Sequence, residues 1–377
     1  MDSGLPIVDR RSSTIHYPLS AIRYPLSAIR YPLSAIRYPL SAIRYPLSAI
    51  RYPLSSIHSP LMKTAALLFT LFALPQLMAA EAPTLTLIAE VKGFASPESV
   101  AWDGTHYYVS NVGKELKPMD KDGDGSISRM DAKGENLELK FIDKLNAPKG
   151  MLVAGKTLYV CDIDVLLGFD LASGEKTFEI SFAKDGVQFL NDVCAAGAGK
   201  LLVSATDKNK VYVVDTEKKS ATEIAFDKAP NGPNGLAFFK QDDDHCLLLV
   251  EWGRDNQPNG NLRGYLLDDT LLKGTLQESP EDFPVKNGYL DGLATIYDAK
   301  GEPQCALYSD WVAFKPEGKV YWIGEGGSGK TTQVALKIPM GPPGGPADFF
   351  FEPKGSVLVL PCMLEGRVLL LKAEWPK

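Results

Sequence analysis

The stretch that decides the fold is Pro233-Asn234-Gly235-Leu236-Ala237-Phe238. A proline sets the entry angle, a polar residue follows, then a small residue, then an apolar run. This reads as a strand whose first side chain points somewhere polar while the later ones enter a core. The pattern recurs with other polar residues: Pro97-Glu98-Ser99-Val100, Pro148-Lys149-Gly150-Met151, Leu190-Asn191-Asp192-Val193, Leu290-Asp291-Gly292-Leu293 and Ala347-Asp348-Phe349-Phe350. Successive polar positions, from Glu98 to Asp348, lie 51, 42, 43, 57 and 57 residues apart. Six imperfect copies at such spacing mark a radial repeat. The expected fold is therefore all-β: a six-bladed β-propeller over residues 83–375, with four-stranded antiparallel blades around a central channel. Glu98, Lys149, Asn191, Asn234, Asp291 and Asp348 would then face one axis.

Between the copies the chain repeats one strand grammar. The runs are short, β-branched or aromatic, and bounded by Gly, Asp, Asn and Lys turns. No long amphipathic helical pattern competes with them. The last unit lacks an outer strand, and residues 84–91 are placed to supply it and close the ring.

The front of the chain reads differently. From Tyr17 the heptapeptide Tyr-Pro-Leu-Ser-Ala-Ile-Arg repeats, with tyrosines at 17, 24, 31, 38, 45 and 52. A seven-residue period is that of a coiled coil, but a proline in every repeat breaks helix. Residues 1–61 read as a low-complexity segment, disordered or translated from a tandem repeat upstream of the true start. Met62 then opens a secretory signal over 62–80: Lys63 is the basic end and an apolar run follows, too short to span a bilayer. Small residues at Ala79 and Ala80 precede Glu81. The expected location is the periplasm or the cell exterior, with no membrane attachment once the signal is removed.

Residues 1–80 hold eight basic and two acidic residues, so the remainder has 32 basic and 44 acidic ones, a net charge of −12. Such a surface repels nucleic acid and anionic lipid and suits cations. Five cysteines, Cys161, Cys194, Cys246, Cys305 and Cys362, leave at least one thiol unpaired. Each lies in or beside an apolar run and none has metal-ligand spacing, so they read as small core residues.

Two carboxylates or more with two amide oxygens on one axis make a site for a hard cation, calcium first, with Zn²⁺, Mn²⁺ or Mg²⁺ as alternatives. Taken singly, an Asn-Gly or Asp-Gly pair is an ordinary turn; six in register carry more. On these residues the chain, over about 90–373, resembles the regucalcin/gluconolactonase family of six-bladed propellers. The resemblance implies a divalent metal at the channel mouth, held by Glu98, Asn191, Asn234 and Asp291. It also implies hydrolysis of a small lactone or ester, with Asp291 as both ligand and general base. One departure touches the substrate. The family's sugar-gripping arginine, two residues before the third-blade Asn, is Phe189 here. The alternative is a non-catalytic propeller that binds a small ligand or a partner around a structural calcium.

Two further motifs need weighing. Asp120-Lys-Asp122-Gly-Asp124-Gly125 with Asp131 in the twelfth place matches a calcium-binding EF-hand loop, although strands rather than helices flank it. The other reading is a solvated acidic turn. Gly324-Glu-Gly-Gly-Ser-Gly329-Lys330-Thr331 matches the P-loop pattern. A P-loop needs a helix after the lysine. Residues 332–338 alternate like a strand, and prolines follow. The expectation is a glycine-rich blade turn and no nucleotide cofactor.

Overall fold

A computed structural model describes residues 82–277, 287–298, 301–325 and 331–376. Strand β1 (Thr84–Lys92) comes first among the described residues and is used last. The first blade is β2 (Pro97–Trp102), β3 (His106–Asn111), β4 (Gly125–Asp131) and β5 (Glu138–Leu145). The second is β6 (Pro148–Ala154), β7 (Thr157–Asp162), β8 (Val165–Asp170) and β9 (Lys176–Ser181). The third is β10 (Leu190–Ala195), β11 (Lys200–Ala205), β12 (Lys210–Asp215) and β13 (Ser220–Glu223). The fourth holds a short strand, β14 (Ala225–Phe226), then β15 (Pro233–Gln241), β16 (Asp244–Glu251), β17 (Leu262–Leu267) and β18 (Lys273–Gln277). The fifth is β19 (Leu290–Tyr297), β20 (Pro303–Asp310), β21 (Lys319–Glu325) and β22 (Thr331–Ala335). The sixth is β23 (Phe350–Glu352), β24 (Val357–Cys362) and β25 (Arg367–Glu374), with β1 antiparallel to β25 as its fourth strand.

The protein is a six-bladed β-propeller. The inner strands β2, β6, β10, β15, β19 and β23 each contact the next, and β23 returns to β2, so the ring is closed. One detail departs from four strands per blade. β14 pairs in parallel with β18, so the link between blades three and four adds a fifth strand to the fourth. Six apolar clusters fill the six junctions between blades. Four of the cysteines, Cys161, Cys246, Cys305 and Cys362, are buried in them, and all five thiols are free.

Each of the first five inner strands begins with the same irregularity. Pro97 pairs with Asn111, but pairing resumes at Val100 with Val109, so three steps on one strand meet two on the other. The same one-residue bulge lies at Pro148/Met151, Leu190/Val193, Pro233/Leu236 and Leu290/Leu293. A bulge leaves residues outside the ladder and re-aims their side chains. Here the first bulge residues are Glu98, Lys149, Asn191, Asn234 and Asp291. The sixth blade keeps the count with Pro346 opposite Cys362 and Phe350 opposite Val359. That register puts Ala347 in the first bulge place and Asp348 in the second, a shift of one from the sequence alignment.

The second bulge residue is small because the neighbouring blade's backbone lies against it. A Cβ on Gly235 would sit 2.4 Å from the Asp291 carbonyl oxygen, and one on Gly150 would sit 2.5 Å from that of Asn191. Where the second residue is polar it ties blade to blade: the Met151 N–H donates to Ser99 Oγ at 3.3 Å, and the Leu236 N–H donates to Asp192 Oδ2 at 2.6 Å. Buried serines on the adjacent strand take the freed bulge N–H groups of Ser99, Asp192 and Gly292, namely Ser110, Ser204 and Ser309.

Gly235→Ala is therefore expected to lower stability by about 2 kcal/mol or more, because backbone must move. Thermal unfolding should show a Tm drop of about 3 °C or more for a domain of this size. Gly264→Ala, whose Cβ would meet only Leu248 Cδ2 at 3.5 Å, should be nearly silent.

Candidate functional site

The five bulge residues converge. Glu98, Lys149, Asn191, Asn234 and Asp291 all line one cavity of about 220 Å³ at the end of the channel where the inner strands begin. All five are buried, none more than 4% exposed. Four of them share a second property. Glu98 Oε2, Asn191 Oδ1, Asn234 Oδ1 and Asp291 Oδ1 are buried and receive no hydrogen bond. An unsatisfied buried acceptor costs about 1–3 kcal/mol. These four oxygens, from blades one, three, four and five, belong to residues that line the same cavity. Two carboxylates and two amide carbonyls are the donor set a hard divalent cation takes. Among the described residues, no group of three or more His, Cys, Asp or Glu side chains is placed to hold a metal. The candidate set relies on its two amides.

The other oxygen of Asp291 is committed. Trp311 Nε1 donates to Asp291 Oδ2 at 2.7 Å, which fixes the carboxylate's rotation and leaves Oδ1 as the oxygen with no donor. Lys149 replaces a ligand with a cation. Its ammonium donates to the carbonyls of Pro118 at 2.8 Å and Ala147 at 3.0 Å, and sits 4.4 Å from the centre of the Phe189 ring. Burial pulls it down to about 8, while Glu98 and Asp162 pull the other way.

Asp348 does not line the cavity. In the second bulge place, its Oδ2 accepts from Ser99 Oγ at 2.6 Å. It belongs with Asp192 to a second buried acidic tier. Burial is the main cause that raises all four axial carboxyls, and like charges add to it at Glu98, Asp291 and Asp348. Asp192 reaches about 6 and Asp291 about 7; Glu98 and Asp348 are raised well above the ordinary range. The Trp311 indole and the nearby Asn234 side chain hold Asp291 back.

The acidic loop behaves otherwise than the sequence motif implies. Asp131 ends β4, seven residues long, so it lies about 20 Å along the strand from Asp124. Its carboxylate caps its own turn, accepting from the N–H groups of Lys133 and Glu135 and from Asn136 Nδ2. The twelve-residue loop thus loses its closing ligand. Asp120 and Asp122 are exposed. Asp124 closes a strap over residues 113–124: its Oδ2 accepts from the Lys114 N–H at 3.0 Å, and its Oδ1 lies against Gly113, where a side chain would collide. Lys121 ties the strap to Asp164 at 2.6 Å, and Lys149 ties it through Pro118. The strap delivers Leu116 and Pro118 to the cavity wall.

The P-loop-like stretch has residues 326–330 outside the described residues. Its flanks are the end of β21 and strand β22, so a strand follows where a P-loop needs a helix.

The remaining wall carries no repeat-motif signal in the sequence. Val112, Thr206, Trp252, Trp311 and Met363 each immediately follow the second strand of a blade, and all line the cavity. In blades one, two, four and five the last residue of the second strand caps the entry of the first. Asn111 accepts from the Ala95 N–H, Asp162 from Ala147, Glu251 from Asn231 and Asp310 from Tyr289. A polar residue followed by an apolar one, in Asn111-Val112, Glu251-Trp252 and Asp310-Trp311, was the available signal.

No family model matches the chain, and no curated protein matches it. Solved structures do. One is an auxiliary nutrient binding protein from Bacteroides thetaiotaomicron, with 10% identity, coverage of 78% of this chain and 77% of that one, and a TM-score of 0.55. A luciferin-regenerating enzyme matches at 14% identity over 78% and 97%, with a TM-score of 0.53. A provisionally assigned gluconolactonase matches at 18% identity over 78% and 94%, with a TM-score of 0.52. At these identities the likeness establishes the propeller fold and nothing finer.

A carboxyl raised above its unfolded value of about 4 holds its proton longer in the folded state, so stability falls as pH rises between the two values. With Asp192 at about 6 and Asp291 at about 7, chelator-treated protein should unfold at a higher temperature in mild acid than above neutrality. A flat profile between those conditions would mean the axial carboxyls are compensated in some other way.

Proposed function

We propose that the protein is an exported, divalent-cation-binding propeller that hydrolyses a small lactone or ester at the mouth of its channel. The observation that carries this reading is the set of four orphaned oxygens, one each on Glu98, Asn191, Asn234 and Asp291, on residues that line a single cavity. Calcium suits an all-oxygen set with two carboxylates. The bound cation would supply polarisation of a substrate carbonyl and a low-pKa water.

The chain's own residues divide the remaining work. Asp291 is the group for proton transfer, because it lines the cavity and its Oδ1 has no donor while Trp311 holds Oδ2. The Trp311 hydrogen bond sets the carboxylate's orientation, so Trp311 is a positioning residue. Lys149 keeps the strap in place and sets a positive charge beside Glu98. The wall of Trp252, Trp311 and Phe314 keeps the reacting group away from bulk water.

One observation favours the second reading, a binding propeller with a structural cation. With Oδ2 of Asp291 held by the indole, the same Oδ1 must serve both a cation and a proton. A ligand that never leaves the ion would leave no base.

Calorimetric titration of chelator-treated protein should show one Ca²⁺ per chain. Glu98→Ala combined with Asn234→Ala should weaken it by about a hundredfold or more. Unchanged affinity in that double variant would remove the axial site from both readings. With calcium bound, Asp291→Ala should abolish turnover on a lactone and ester panel. Cation binding with no turnover on any member leaves the binding propeller. Export is checked separately: the protein recovered outside the cytoplasm should begin at Glu81, and recovery of the intact chain in the cytoplasm would contradict it.

A further inference from the structure

We infer that the cavity takes a flat aromatic carbonyl compound, an aryl ester or a lactone fused to a benzene ring, in preference to a polyhydroxylated one. This deepens the reading of the preceding subsection and rests on it for the reacting carbonyl.

The floor of the cavity is polar and its wall is not. Three rings stand together on one side. Trp252 and Trp311 meet edge to face with centroids 5.4 Å apart, and Phe314 lies 6.2 Å from the first and 5.5 Å from the second. Phe189 stands by Lys149, and Leu116 reaches in from the strap. Phe314 is 55% exposed and Leu116 38% exposed. Large apolar side chains are left open at the mouth of a pocket whose inner residues are almost fully buried. That is the arrangement of a site that gains by covering them.

Most polar atoms on the wall are already engaged. Thr206 Oγ1 donates to the Pro233 carbonyl at 2.7 Å. Asp207 accepts from the Gln188 N–H at 3.0 Å and pairs with Lys208 at 3.3 Å. The Lys149 ammonium spends two donors on backbone carbonyls. A polyol would bring several hydroxyls against rings and aliphatic carbons, and each buried hydroxyl without a partner is disfavoured. A flat ring meets the same wall with stacking and edge contacts and strands nothing. Size agrees. An apolar cavity of about 150 Å³ holds benzene, so 220 Å³ admits one ring with a carbonyl directed to the four oxygens.

The test is saturable binding to the exported chain, measured by calorimetry with coumarin and with gluconolactone, in calcium and in chelator. Coumarin should bind, and gluconolactone should show no saturation at about tenfold higher concentration. Phe314→Ala and Leu116→Ala, both at the surface and so expected to keep the wild-type Tm, should each weaken coumarin by about tenfold. Tighter binding of gluconolactone than of coumarin, absence of coumarin binding, or indifference of both variants would overturn the inference. The two proposals fail separately. Coumarin binding that Phe314→Ala weakens, in a protein that holds no cation, keeps the aromatic pocket and removes the metal. Bound calcium with no coumarin binding does the reverse.

Discussion

A one-residue bulge at the entry to each inner strand is the constraint on which the rest of this structure depends. Without it, residues after Pro97, Pro148, Leu190, Pro233 and Leu290 would alternate between the two faces of a blade and vanish into the junctions. With it, one side chain per blade is turned onto the axis. The bulge also dictates its successor. The second residue must be small, as Gly235 shows, or must bond to the next blade, as Ser99 and Asp192 do. The same short motif therefore sets the channel's chemistry and the contact between neighbouring blades.

That geometry concentrates charge where water is scarce. Four carboxyls, Glu98, Asp192, Asp291 and Asp348, and one ammonium, Lys149, share a buried axis, and burial disfavours the charged form of every one. Such a cluster is costly unless something positive joins it. The four open oxygens lie in the upper tier; the lower tier, Asp192 and Asp348, is hydrogen-bonded into the blades. The difference between the tiers separates a place for a ligand from a piece of scaffold. The strap over residues 113–124 adds to the same end: its acidic residues secure the loop, and its apolar ones complete the wall.

Much of this was legible in the sequence because the motif is local. Proline, polar, small and apolar in a row imply a strand with a redirected first side chain, and the spacing of the copies supplies the ring. Residues 84–91 as the closing strand followed from counting strands in the last blade. The losses have physical causes. In the sixth blade the axial place is filled by Ala347, which offers no polar signal, and the polar residue of the motif is Asp348, one position later. Asp131 fits a loop pattern only if the chain stays a loop, and strand pairing from Gly125 carries it away instead. The wall residues Trp252 and Trp311 look like ordinary strand ends until the register shows that each follows the residue capping its blade. β14 is two residues long, below what periodicity can detect.

The central claim is that Glu98, Asn191, Asn234 and Asp291 hold a single ion between them. Anomalous diffraction from crystals grown with Mn²⁺ or a lanthanide in place of calcium tests it directly. The account predicts one strong peak on the axis, within about 2.0–2.6 Å of an oxygen from each of the four residues. A map with no axial peak, or with its ion among Asp120, Asp122 and Asp124 instead, would contradict it.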